Sequence, residues 1–135
     1  MNVLVDTSVW SLALRRAKRV DETVSTELAE LVREGRVVMI GAIRQEILSG
    51  IKGKAQFDLL RNRFRAFPDL QLDLMDYEEA AAAFNLCRGR GIQGSNTDFL
   101  ICAVAMRRDL AVYTTDNDFT GYATVLEFEL HQPRS

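Results

Sequence analysis

The chain has 135 residues with 17 Lys+Arg, 19 Asp+Glu and one His, giving a formal net charge of −2, and 47% of its residues are hydrophobic. This balance excludes a disordered chain, and no run approaches the ~18–20 apolar residues of a membrane span. A chain of this size buries roughly two-thirds of its unfolded surface, so it needs no disulfide or metal staple. The length fits a single domain over residues 1–135. Met1-Asn2-Val3-Leu4-Val5-Asp6 lacks the basic and apolar regions of an export signal, so the protein is expected in the cytoplasm.

Val3-Leu4-Val5 reads as a buried strand that stops at Asp6. A helix follows through Val9, Trp10, Leu12 and Leu14, with Asp6 or Ser8 as its cap. The basic run Arg15, Arg16, Lys18 and Arg19 reads as an exposed helix face. Glu22–Glu34 places Val24, Leu28, Leu31 and Val32 near a 3.6-residue period, and Gly35 ends it. Val37–Ile40 is a second strand, and 42–48 a helix closed by Ser49-Gly50. A helix over 54–67 shows Phe57, Leu60, Phe64 and Phe67 on one face and stops at Pro68. Leu70, Leu72 and Leu74 alternate with polar residues like an edge strand. Tyr77–Arg90 is an alanine-rich helix, Ser95 opens another running to about Arg108, and Ala111–Thr114 is a strand. Asp116-Asn117-Asp118 reads as a turn and Thr124–Phe128 as a last strand. Strands alternating with helices predict a mainly parallel sheet covered on both faces.

The two cysteines, Cys87 and Cys102, cannot form a disulfide framework, and Cys102 lies in the apolar run Ile101–Val104 as a core residue would. The single histidine, His131, stands near the C-terminus beside Pro133, which disfavours a structural zinc site or a histidine-based triad. Chemistry here falls to carboxylates, hydroxyls and Lys/Arg.

In an open parallel sheet, ligands bind beyond the carboxyl ends of the strands. Asp6 ends the first strand and Asp116 follows the 111–114 strand, so both belong to that rim. Glu46 lies one turn into the helix after the second strand, and Asp98 lies in the first turn of the 95–108 helix. If the connections leading into those helices are short, acids from four separate segments converge on one spot. Without a cation they repel one another and lose solvation. A hard divalent ion such as Mg²⁺ or Mn²⁺ removes that conflict, because it takes oxygen ligands. Such an ion also assists phosphodiester hydrolysis. Plainer readings exist for each acid alone. Ser95-x-x-Asp98 is also a capping-box pattern, Asp6 a helix cap, Asp116-Asn117-Asp118 an Asx-turn, and Glu46 a solvated helix residue. The basic residues from Lys52 to Arg65 likewise fit a solvent-facing helix.

Val3-Leu4-Val5-Asp6-Thr7-Ser8, Glu46-Ile47 followed by Gly50, Asp98-Phe99-Leu100-Ile101, and Thr114-Thr115-Asp116-Asn117-Asp118-Phe119 resemble, in order, the motifs of PIN-domain ribonucleases. Length and spacing are most similar to the VapC toxins of bacterial toxin–antitoxin pairs. The resemblance implies a three-layer α/β/α fold and a metal-dependent endoribonuclease directed at single-stranded RNA. It implies one or two Mg²⁺ or Mn²⁺ ions held by Asp6, Glu46, Asp98 and Asp116, with Ser8, Thr114 and Asp118 as accessory members. In that reading Asp6 and Asp98 are direct ligands, while Glu46 and Asp116 complete the shell. The resemblance also implies a homodimer, and a small antitoxin whose tail enters the acidic groove.

The rim that steers RNA phosphates is expected among Arg44, Lys52, Lys54, Arg61 and Arg65. A dimer face is expected around Trp10, Leu14 or the Phe57–Phe67 helix. Two rival classes carry the same acids. A non-catalytic module would use the acidic groove to receive a basic peptide. A receiver-type phosphoacceptor wants an acidic pair after the first strand and a Lys after the last site strand, whereas here Thr7-Ser8 follows Asp6 and the Thr114 turn lacks Lys. A dinucleotide or P-loop fold is disfavoured because no G-x-G-x-x-G or G-x-x-x-x-G-K-[ST] is present.

Overall fold

The structure, a computed structural model, describes residues 1–14 and 22–134. The basic run at 15–19 lies outside the described residues. Four strands, β1 (Val3–Val5), β2 (Val37–Val38), β3 (Ala111–Tyr113) and β4 (Glu129–Leu130), form one parallel sheet in the order β2-β1-β3-β4. Helices α1 (Thr7–Leu14), α2 (Glu22–Arg33), α3 (Gly41–Ser49), α4 (Lys54–Phe64), α5 (Leu74–Gly89), α6 (Asn96–Arg108) and α7 (Asp118–Ala123) complete a three-layer α/β/α arrangement. The central strands are apolar at every position, as a sheet covered on both faces requires, and Val3, Leu4, Val5 and Val112 are fully buried. Val5 pairs with Tyr113, so the residues that follow them, Asp6 and Thr114, emerge side by side.

α2 ends as its glycine predicts. Gly35 adopts φ +68°, and the Gly35 and Arg36 amides donate to the carbonyls of Val32 and Leu31. Gly35→Ala should lower stability by about 1 kcal/mol through the cost of a Cβ in the left-handed region. Equilibrium denaturation will check this, and an unchanged midpoint would show that the turn relaxes. Val32, expected to face inward, is 40% exposed, while Leu28 and Leu31 are buried.

Three sequence expectations need correction. Leu70–Leu74 forms no strand; the nearby bridge pairs Met39 with Asp69, just before the segment. Asp73 instead starts α5 with a reciprocal capping box: the Asp76 amide donates to Asp73 Oδ1 and the Asp73 amide to Asp76 Oδ2. The last strand is Glu129–Leu130 rather than 124–128, where the amides of Val125 and Leu126 instead donate to the carbonyl of Tyr122. The turn at 116–118 continues into α7, because Phe119 and Tyr122, three positions apart, both bury completely on one helical face.

Trp10 is also not a free surface. It is 5% exposed and meets Phe64 and Phe67 edge-on at 5.2 and 5.3 Å. Exposed large apolar side chains are Leu74, Met75, Tyr77 and Leu86 on α5, together with Leu14 at the end of α1, Leu59 on α4, Val32 on α2 and Met1. Cys87 and Cys102 are both buried free thiols, and burial raises the pKa of each. Among the described residues no helix is long and apolar enough to cross a membrane.

Candidate active site

The site begins with β1. Because Val5 is locked into the sheet, Asp6 is delivered to its carboxyl edge, 95% buried, with its amide donating to the Tyr113 carbonyl at 2.9 Å. Its Oδ2 accepts hydrogen bonds from Ser8 Oγ at 2.9 Å and Thr114 Oγ1 at 2.8 Å. Each hydroxyl has one hydrogen. With both directed at Asp6, the 3.2 Å approach of Ser8 to Thr114 is contact rather than a further bond. The hydroxyl oxygens in turn accept from backbone: Thr115 N–H to Ser8 at 3.0 Å and Asp116 N–H to Thr114 at 2.9 Å. One buried carboxylate therefore ties β1, α1 and the chain after β3 together. Its Oδ1 has no protein donor among the described residues.

The other acids arrive from α3, the first turn of α6 and the chain before α7. Thr7, first residue of α1, donates to Glu46 Oε1 at 2.6 Å and fixes it against the rim. Ser95 caps α6 by accepting from the Asp98 amide at 3.1 Å. The capping pattern is thus real, yet the Asp98 carboxylate does not reach back to close a box. It accepts instead from the Tyr122 hydroxyl at 2.7 Å. Asp116 Oδ1 accepts from the Asp118 amide at 2.9 Å, so the Asx-turn is real too. The plain and the functional readings coexist: local hydrogen bonds aim the acids at one place.

That place is an open groove of about 600 Å³ lined by Asp6, Thr7, Ser8, Gln45, Glu46, Ser49, Thr97, Asp98 and Asp116, among others. Asp98, Asp116 and Asp118 each offer a carboxylate oxygen within 4.8 Å of the others. Asp6 and Glu46 line the groove but stand outside that tight group. Burial raises the pKa of Asp98, and the charges of Asp6 and Asp116 raise it further, against the lowering effect of the hydrogen bond from Tyr122. Burial likewise pushes up the Tyr122 phenol, helped by its bond to Asp98 and the charges of Asp98, Asp118 and Asp116. Among the described residues, no Lys, Arg or His lines the groove to offset this concentration of charge. Hard oxygen donors that repel one another fit a hard divalent cation.

None of the five basic residues expected at the rim lines the groove. Arg44 is bound into the fold: its guanidinium donates to Asp69 Oδ1 and the Phe64 carbonyl, both at 3.0 Å, and to the Phe67 carbonyl. Lys54 and Arg61 pair with Asp58 on the surface, and Lys52 and Arg65 are exposed. His131 lies elsewhere, 2.5 Å from Glu27. Sequence reasoning missed Tyr122, Thr7, Gln45, Ser49 and Thr97. Of these, Thr7 had a signal in its place beside Asp6, and Tyr122 had one in its spacing from Phe119.

No curated protein matches the chain. Among solved structures it is similar to FitAcB from Neisseria gonorrhoeae, with 22% identity, 97% of each chain covered and a TM-score of 0.77. It is also similar to FitAB bound to an IR36 DNA fragment, with 22% identity, 98% of each chain covered and a TM-score of 0.71. VapBC2 from Rickettsia felis bound to a DNA fragment from their promoter covers 97% of this chain and 98% of its own at 14% identity, with a TM-score of 0.76. At such identities these likenesses speak to the fold alone. The PIN domain family model, by contrast, matches residues 3–125, which include every acid of the groove. With the sequence match spanning nearly the whole chain and the sheet and acidic rim arranged as its motifs imply, this chain belongs to the PIN domain family.

Proposed function

We propose that this chain is a Mg²⁺- or Mn²⁺-dependent endoribonuclease acting as the toxin of a type II toxin–antitoxin pair in the cytoplasm. The observation that carries the reading is a groove lined by Asp6, Glu46, Asp98 and Asp116 with no basic side chain among the described residues lining it, where Asp98, Asp116 and the adjoining Asp118 offer carboxylate oxygens within 4.8 Å of one another. Asp98 and Asp116 would hold the ion, with Asp6 facing it from β1 and Asp118 and Glu46 completing the surround. When bound, such a cation offsets charge developing on a phosphoryl group and activates water for attack. The chain's own part is preorganisation. Ser8 and Thr114 fix Asp6, Thr7 fixes Glu46, and Ser95 sets the start of α6 that carries Asp98. Polar groups held this way need little rearrangement when substrate arrives.

RNA phosphates approaching an acidic groove need attraction from beyond it. Lys52, Lys54, Arg61 and Arg65 are proposed for that role, since exposed ion pairs such as those to Asp58 are weak and exchange readily. Arg44 leaves the set because its guanidinium braces α3 against the chain after α4. The partner is proposed to be a small antitoxin whose basic tail enters the same groove, a reading supported by the likeness to FitAcB and VapBC2. A homodimer is proposed through the exposed α5 residues Leu74, Met75, Tyr77 and Leu86 in place of Trp10.

Incubating the purified protein with single-stranded RNA tests the activity. Cleavage is expected with Mn²⁺ or Mg²⁺, should stop on adding EDTA, and should return with excess Mn²⁺. Equal cleavage in EDTA would remove the metal from the reading. No cleavage under any condition, with tight binding of a basic peptide, would favour the non-catalytic module.

A further inference from the structure

Asp98 lines the groove and shares a tight cluster with Asp116 and Asp118, and one side chain outside the four motifs holds its carboxylate. Tyr122 Oη donates to Asp98 Oδ2 at 2.7 Å. Tyr122 is fully buried and has no freedom to swing away. Its ring packs against Phe99 at 4.8 Å and Phe119 at 5.1 Å. The remaining side of the ring is closed by Gly94. A Cβ placed on Gly94 would lie 2.7 Å from Tyr122 Cζ and collide with the hydroxyl oxygen. That glycine is therefore needed for close approach, not for an unusual backbone angle.

We propose that Tyr122 is a positioning residue for the cation site, seated by Gly94 and holding Asp98 in the rotamer that faces Asp116 and Asp118. The inference rests on reading the groove as a cation site, and it adds a member that the chain's acidic motifs do not contain. A carboxylate offers about four lone-pair directions. A neutral phenol occupying one of them on Oδ2 fixes the group while leaving the others for a ligand. Ser95 holds the backbone end of the same residue through the Asp98 amide. Asp98 is thus pinned at both ends before any ion arrives, and partners of this kind that orient metal ligands typically change metal affinity by about 10–100-fold when removed.

The test is Mn²⁺ binding by isothermal titration to the unmodified protein, Tyr122→Phe, Gly94→Ala and Asp98→Asn, alongside thermal unfolding without metal. Tyr122→Phe keeps the ring and removes the donor, so the expected result is a Mn²⁺ Kd weakened about 10–100-fold in a protein that still unfolds cooperatively. Gly94→Ala keeps the donor and displaces it, and should weaken binding in the same direction. If Tyr122→Phe does not fold, Gly94→Ala carries the test alone. A merely structural tyrosine would lower the melting temperature and leave Kd unmoved. Normal Mn²⁺ affinity in Tyr122→Phe, with binding lost in Asp98→Asn, would overturn the positioning role and leave the cation site standing. An unmodified protein that binds no Mn²⁺ would overturn both.

Discussion

Asp98→Asn should reduce RNA cleavage by at least about 10²–10³-fold, the usual loss when a preorganised electrostatic group is removed from an active site. The same change should leave the metal-free protein as stable as before, or more so. Asp98 is partly withdrawn from water and faces the charges of Asp6 and Asp116, which is why its pKa is raised. A neutral amide of equal shape removes that repulsion, keeps the Ser95 cap on its backbone, and still offers an oxygen to the Tyr122 hydroxyl. Activity and stability thus move in opposite directions, as is common where a site holds strained charge for function. Cleavage assays beside melting curves with and without Mn²⁺ will decide. The parent protein should gain stability with added Mn²⁺, and the variant should not. Undiminished cleavage by Asp98→Asn would refute its place in the site.

The largest loss of stability is expected from Asp76→Ala, away from the groove. Asp76 is fully buried at the start of α5, with Oδ1 2.6 Å from Arg107 and Oδ2 2.6 Å from Arg108, while the Asp73 amide donates to Oδ2 at 2.8 Å. The arginines lie in the last turn of α6, so the cluster staples the beginning of one helix to the end of its neighbour. Burial alone would raise the Asp76 pKa, but the Asp73 amide and the Arg108 and Arg107 guanidinium groups outweigh it and hold the carboxyl below its ordinary value. Removing a buried charge partner costs about 3–5 kcal/mol. Because Arg107 and Arg108 keep about a quarter of their side chains in water and retain Asp73 and the Gln71 carbonyl as partners, about 2–4 kcal/mol is expected here. The sign with pH follows from the lowered pKa. The stabilisation is complete above the unfolded value of about 3.9 and disappears as pH falls through the folded value. Denaturant unfolding at pH 7 and again near pH 3 should show a wide gap between parent and variant that narrows in acid. A gap independent of pH would mean that packing, not charge, supplies the stability.

Much of this was legible from residue order. Val3–Val5 and Ala111–Tyr113 are apolar at every position because both faces of a central parallel strand are covered, and that alone announces where their carboxyl ends lie. Asp6 and Asp116 follow those ends by one or a few residues, so their convergence needs only the parallel pairing of β1 with β3. Asp98 and Glu46 needed short connections, which Gly41 and Ser95 at the helix starts provide. What was not legible depended on contacts between distant segments. Leu70-Leu72-Leu74 alternates like a strand, yet the Asp73–Asp76 box takes Leu74 into a helix, a local signal outweighed by the alternation. Trp10 looked available for a partner because nothing near it in sequence covers it, while Phe64 and Phe67 arrive from α4 and the chain after it. Arg44 looked like a phosphate ligand because two backbone carbonyls more than a dozen residues away could not be foreseen. The Tyr122–Asp98 bond spans 24 residues and joins an acid to a short helix whose only local sequence signal is the Phe119–Tyr122 spacing.

Diffraction from crystals grown with Mn²⁺, recorded at a wavelength where manganese scatters anomalously, tests the acidic rim most directly. The expected result is an anomalous peak within about 2.0–2.3 Å of carboxylate oxygens from Asp98 and Asp116, with Asp6 facing it. A groove without a peak at millimolar Mn²⁺, or a peak bound only by acids outside the groove, would contradict the assignment of this sheet edge as a metal centre.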